Sequence, residues 1–119
     1  MATILLAEDD GSLRSFLGRA LERAGHEVRV CEDGYEAERA LEDGPYDLLL
    51  TDIVMPGLDG IEVARRAAQL FPDMRIMFIT GFAAVALSAG ARAPAGSKVL
   101  SKPVHLRELV AEVDRMIAA

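Results

Sequence analysis

Short apolar runs alternate with longer amphipathic segments along the chain. Thr3–Ala7 (TILLA) reads as a buried strand. Leu13, Phe16, Leu17, Ala20, Leu21 and Ala24 recur at spacings of three and one, which predicts a helix face, and Gly25 stands where that helix should stop. Val28–Cys31 is a second short strand. Asp33-Gly34-Tyr35-Glu36 has the spacing of a capping box and opens a helix expected to run to about Asp43, where Gly44-Pro45 breaks it. Asp47–Thr51 is apolar on both faces after its first residue, as suits a parallel strand covered by helices on both sides. Met55-Pro56-Gly57 is a loop. Ile61, Ala64, Ala67, Ala68 and Phe71 stripe a third helix, with Glu62, Arg65, Arg66 and Gln69 outward. Arg75–Thr80 is strand four and Val99–Leu100 strand five. Leu106, Leu109, Val110, Val113 and Ile117 form the face of a last helix. The stretch 82–96 is rich in Ala and Gly, with a short fourth helix expected over 83–88. Strand and helix in alternation predict one parallel α/β sheet with right-handed crossovers.

Composition narrows the class. At 119 residues, of which 34 are Leu, Ile, Val or Phe, the chain has the size and apolar content of one folded domain, residues 1–119, and not of a disordered segment. Its longest uncharged apolar stretch, Phe82–Ala91, is too short to span a bilayer, and the first residues lack the basic start of a secretory signal. A single cysteine, Cys31, can form neither an internal disulfide nor a zinc cluster, so a cytoplasmic location is expected. Net charge is −6 with no basic stripe, which argues against direct nucleic-acid binding. Eleven of the 13 cations are Arg, so Lys98 and Lys102 stand out.

The candidate chemistry lies just past the apolar strands. Glu8-Asp9-Asp10 follows the first and Asp52 the third. In open parallel sheets, ligands bind beyond the carboxyl ends of the strands, where strand order reverses. Acids brought together there repel one another unless a cation sits among them, and hard oxygen ligands suit Mg²⁺. Thr80 ends strand four and Lys102 follows strand five, both toward the same edge. A carboxylate, a hydroxyl and an ammonium beside a metal-binding acid pair fit phosphoryl transfer, with Asp52 attacking phosphorus to become an acyl phosphate. Lys102 precedes Pro103, and an X-Pro bond at a strand end can be cis. Asp10, at the start of the first helix, reads as its cap. His26 lies before strand two and His105 opens the last helix, so neither is placed in the chemistry.

Four pieces together resemble the response-regulator receiver domains, the CheY-like family, over nearly the whole chain. They are Glu8-Asp9, the run Thr51-Asp52-Ile53-Val54-Met55-Pro56-Gly57-Leu58-Asp59-Gly60, Thr80-Gly81 and Lys102-Pro103, in the family's order and spacing. The resemblance implies a flavodoxin-like sheet of order 2-1-3-4-5 flanked by five helices. It also implies Mg²⁺-dependent phosphorylation of Asp52 by a histidine kinase or histidine phosphotransfer protein. Arg14 is five residues after Asp9, the family's spacing from the second acid, which makes Glu8-Asp9 the pair and Asp10 its neighbour. By analogy Asp9 ligates Mg²⁺ directly, Glu8 does so through water, and the Val54 carbonyl adds a ligand. Two positions depart from the family: Val99 replaces the aromatic common three residues before the lysine, and Val104 replaces the Phe common after Lys-Pro. Rotation of an aromatic at that position is therefore excluded. Within the family, Ile79–Ala84 and Val99–Leu106 resemble a single-domain group from alphaproteobacterial cell cycles. That resemblance implies an adaptor that primes the ClpXP protease, through the ClpX unfoldase, when unphosphorylated. On this reading the chain is a phosphoacceptor with self-catalysed phosphotransfer and slow autodephosphorylation, not an enzyme with an external substrate, and segment 82–96 with the last helix contacts the partner. A phosphorelay carrier would use the same site. An aspartyl-phosphate hydrolase of the haloacid dehalogenase type would need an acid two residues after the nucleophile, where Val54 stands.

Overall fold

The computed structural model describes residues 1–81 and 93–118. Its elements are β1 (Thr3–Ala7), α1 (Gly11–Arg23), β2 (Glu27–Cys31), α2 (Gly34–Ala40), a 3-10 turn (Leu41–Asp43), β3 (Leu48–Asp52), α3 (Gly60–Leu70), β4 (Arg75–Thr80), β5 (Lys98–Ser101) and α4 (Leu106–Ala118). The strands form one parallel sheet of order β2-β1-β3-β4-β5, as the resemblance implies. Four α-helices lie among the described residues; the short helix expected over 83–88, and most of segment 82–96, fall outside them.

Period-two alternation along the inner strands builds two cores, because successive side chains leave a strand on opposite faces. Leu5, Leu49, Ile76 and Phe78 meet Ala37 and Ala40 of α2 and Ile61, Ala64 and Ala67 of α3 on one face. Ile4, Leu6, Leu48, Leu50, Met77 and Ile79 meet Leu17 and Leu21 of α1 and Leu109 and Val113 of α4 on the other. Strand β3 is buried at every residue, which is why its apolar run does not alternate with polar positions.

Local signals set most helix starts. Asp10, Asp33 and Asp59 each cap a helix by accepting a backbone N–H three residues on: Leu13 at 2.9 Å, Glu36 at 2.8 Å and Glu62 at 2.9 Å. The box at α2 is not reciprocal, since Glu36 Oε2 takes the N–H of Glu32 at 3.4 Å, one residue before the cap. The helix expected to reach Asp43 stays α-helical only to Ala40, and its last turn tightens to 3-10 before Gly44-Pro45. Both Gly44–Pro45 and Lys102–Pro103 are cis.

Two side chains noted in the sequence have structural roles. Cys31 is buried, and its thiol is pushed up to about 11, first by burial and then by the charge of Glu36. His26, also buried, accepts the Ala2 N–H on Nδ1 at 3.1 Å and lies with Nε2 3.0 Å from Asp114 Oδ1. It precedes β2 and so sits at the sheet edge opposite the strand carboxyl ends.

Candidate functional site

All five strands run the same way, so their carboxyl ends share one edge. The register sets Ala7 beside Thr51, Asp52 beside Ile79, and Thr80 beside Ser101. The acids after β1, the last residue of β3, the last residue of β4 and the lysine after β5 therefore converge. One carboxylate oxygen from each of Glu8, Asp9 and Asp52 lies within 4.8 Å of the other two. Glu8 and Asp52 are buried, while Asp9 is open to solvent.

Lys102 holds this cluster together. Its ammonium Nζ donates to Asp52 Oδ2 at 2.8 Å and lies 3.2 Å from Glu8 Oε1. The Lys102 N–H also donates to the carbonyl of Thr80 at 2.8 Å, which ties the ends of β4 and β5 and fixes where the lysine starts. Burial works against the charge on Lys102, but the hydrogen bond and charge of Asp52, with the charge of Glu8, outweigh it and hold the ammonium above its ordinary range. Glu8 is pushed above the usual carboxylate range, chiefly by burial and further by the charge of Asp52; the Asp10 N–H and Lys102 oppose this.

The remaining contacts orient the acids. Glu8 Oε2 accepts the Asp10 N–H at 3.1 Å. Asp52 Oδ1 accepts the Ile53 N–H at 2.7 Å. Glu8 Oε1 is sealed from solvent and, apart from its ion pair with Lys102, accepts no hydrogen bond. A buried oxygen left in that condition beside two further carboxylates is a donor set suited to a hard divalent cation. Arg14 donates from Nη1 to the Glu8 carbonyl at 2.9 Å, so the arginine that set the choice of Glu8-Asp9 is in contact with that turn. Thr80 is buried at the end of β4, and Val54 lies in the loop after Asp52 with its side chain half exposed. His105 immediately precedes α4, its carbonyl accepting the Leu109 N–H, and its side chain is exposed.

Sequence reasoning missed three features here. Asp59 and Glu62 have the same spacing as Asp33 and Glu36, a signal that would have placed the start of α3. Gly60 packs against the backbone of Asp52: a Cβ there would lie 1.9 Å from the Asp52 carbonyl oxygen. The hydroxyl of Thr51, fully buried, donates to that same oxygen at 2.8 Å. No sequence pattern announces the last two, because both depend on how the loop folds back on β3.

Known proteins resemble this chain in sequence and in fold. The sequence model of the response regulator receiver domain matches residues 4–114. The response regulator receiver protein CpdR of Brucella abortus (strain 2308) is 57% identical over 119 residues, covering all of this chain and 99% of that protein. CpdR is the single-domain type that Ile79–Ala84 and Val99–Leu106 resemble. The sensor kinase CckA of the same strain is 34% identical across 98% of this chain, which spans only 12% of that longer protein. Among solved structures, a response regulator receiver protein from Sinorhizobium medicae WSM419 superposes with a TM-score of 0.91 at 34% identity, covering 98% of this chain and 94% of that one. The receiver domain of the hybrid histidine kinase CckA gives 0.84 at 32% identity, with 97% and 98% covered. With the family's sequence pattern matched from Ile4 to Asp114 and a receiver-domain fold reproduced at a TM-score of 0.91, the chain belongs to the response regulator receiver domain family of two-component systems.

Proposed function

We propose that Asp52 is the phosphoacceptor of a histidine phosphorelay, with output by protein contact and, in the unphosphorylated state, as an adaptor for the ClpXP protease. The observation that carries the chemical part is the buried Asp52 carboxylate held 2.8 Å from the Lys102 ammonium at the edge where Glu8 and Asp9 converge. A carboxylate oxygen of Asp52 attacks phosphorus, the bond from phosphorus to the donor imidazole nitrogen breaks, and the product is an acyl phosphate. Lys102 then faces the phosphoryl oxygens in place of the carboxylate it now pairs with, and the Thr80 hydroxyl offers a hydrogen bond at the end of β4. Glu8, Asp9, Asp52 and the Val54 carbonyl are the groups that would hold Mg²⁺, which when bound supplies positive charge against the phosphoryl oxygens.

A cation that binds only the folded chain stabilises it by mass action, about 1.4 kcal/mol at ten times its Kd, or roughly 5 °C for a chain of this size. The melting temperature should therefore rise with millimolar Mg²⁺, and the rise should vanish in Asp9→Ala. An equal rise in the variant would move the metal elsewhere.

The adaptor reading rests on the 57% identity to CpdR over the full chain, and the phosphorelay source on the likeness to the CckA receiver segment. Its test is binding of purified ClpX to wild type, to Asp52→Ala, and to protein treated with beryllofluoride, which mimics the phosphoryl group. The first two are expected to bind and the third to bind much less. Equal binding in all three, or binding only after beryllofluoride, would favour a carrier that passes phosphate between histidine proteins.

A further inference from the structure

The Asp52 carboxylate is oriented by the peptide that follows it. That peptide has two ends. Its N–H, on Ile53, donates to Asp52 Oδ1 at 2.7 Å, and its C=O, on Asp52, accepts the Thr51 hydroxyl at 2.8 Å. A hydroxyl carries one proton, and Thr51 spends it on this carbonyl, since the alternative acceptor, Met55 Sδ, is 4.0 Å away. From the other side the Cα of Gly60 is packed so close that a Cβ there would lie 1.9 Å from the same carbonyl oxygen, and the Gly60 N–H donates to the Ile53 carbonyl at 2.9 Å. The peptide plane is thus gripped at its carbonyl between Thr51 and Gly60, and its N–H fixes the rotation of the carboxylate about its own bond. With Oδ1 held by that N–H, Oδ2 is the oxygen presented to Lys102.

We propose that Thr51 is a positioning residue for the phosphoacceptor: its buried hydroxyl locks the Asp52–Ile53 peptide, and through the Ile53 N–H it holds the Asp52 carboxylate in its attacking orientation. The inference rests on Asp52 being phosphorylated, and it adds a group that never touches the phosphoryl donor. A polar hydroxyl in the apolar layer of Leu49, Phe78 and Ala7 has a cost unless it is hydrogen-bonded, and here its bond goes to the peptide of the reactive residue.

The experiment compares wild type with Thr51→Val, which keeps the shape and removes the donor, and Thr51→Ser, which keeps the donor. Phosphoryl adduct is followed by mass from acetyl phosphate at saturating Mg²⁺. Thr51→Val should lower the saturating rate about five- to tenfold, the scale of one lost orienting hydrogen bond, with KM for acetyl phosphate changed less than about twofold, while Thr51→Ser stays within about twofold of wild type. Should Thr51→Val not fold, Thr51→Cys, with a weak donor of similar size, takes its place. In parallel the Ile53 amide proton is read by nuclear magnetic resonance; it should exchange faster and move upfield in Thr51→Val and not in Thr51→Ser. Equal rates in wild type and Thr51→Val, or equal losses in the Val and Ser variants, would overturn the proposal. Absence of adduct in wild type would instead overturn the phosphoacceptor reading, and the Ile53 amide would still judge whether Thr51 orients that peptide.

Discussion

Asp52→Asn is expected to abolish the phosphoryl adduct formed with acetyl phosphate and Mg²⁺. An amide is neutral and a poor nucleophile, so the initial rate should fall on the order of a thousandfold or more. The fold should survive the change, because the asparagine carbonyl can still accept the Ile53 N–H at the position of Oδ1, and Lys102 keeps Glu8 as a partner at 3.2 Å. A folded variant without adduct therefore separates chemistry from stability. Lys102→Ala should keep the nucleophile but lose the fixed cation opposite the developing charge, slowing adduct formation roughly a hundredfold. Mass spectrometry of the intact protein reads both. An adduct that persists in Asp52→Asn would place the reactive group elsewhere, and a Lys102→Ala variant as fast as wild type would remove the lysine from the chemistry.

Gly60→Ala should be among the most destabilising single-methyl additions in the molecule. Alanine is normally the better helix former by about 1 kcal/mol, and Gly60 is the first residue of α3, so propensity alone favours the change. The packing opposes it. The new Cβ would lie 1.9 Å from the Asp52 oxygen, 2.9 Å from the Asp52 carbonyl carbon and 3.1 Å from the Ile53 Cα. All three are backbone atoms, so no side chain can swing away, and the end of β3 that carries Asp52 must shift. Overpacking of this kind costs about 3 kcal/mol, which exceeds the propensity gain. A drop in the urea midpoint is expected, together with slower adduct formation, since the same shift moves the Asp52–Ile53 peptide. Gly18→Ala is the control: it lies inside α1, its Cβ would meet Val30 Cγ1 at an ordinary 3.5 Å, and it should be neutral or stabilising. Gly60→Ala as stable as wild type would mean that α3 is not clamped to the end of β3.

The strands were legible in the sequence because a buried parallel strand must be apolar on both faces. Thr3–Ala7 and Arg75–Thr80 were placed at their observed bounds, and the other three were displaced or extended by one residue at one or both ends. Helix faces were legible for the same reason: Leu17 and Leu21, Ile61, Ala64 and Ala67, and Leu109 and Val113 are the buried members of the stripes. Asp10 as a cap and Cys31 as a strand residue followed from position alone. That Glu8, Asp9, Asp52, Thr80 and Lys102 meet at one edge followed from a general property of parallel sheets, whose strand ends all face the same way.

What the tertiary structure alone decided is how those groups are held. The sequence suggested that the acids would need a cation among them; the fold brings there, between Glu8 and Asp52, the ammonium of Lys102, 50 residues from Asp52 along the chain and tied to the Thr80 carbonyl by its backbone N–H. Likewise the orientation of the Asp52 carboxylate comes from the Thr51 hydroxyl, the Ile53 N–H and the bare Cα of Gly60, three features that a residue string does not distinguish from an ordinary strand end and helix start. Periodicity records which side of an element is dry, because burial acts on each residue's own surface. It carries no record of ångström-scale contacts between a loop and a strand, because those depend on the path of the backbone between them.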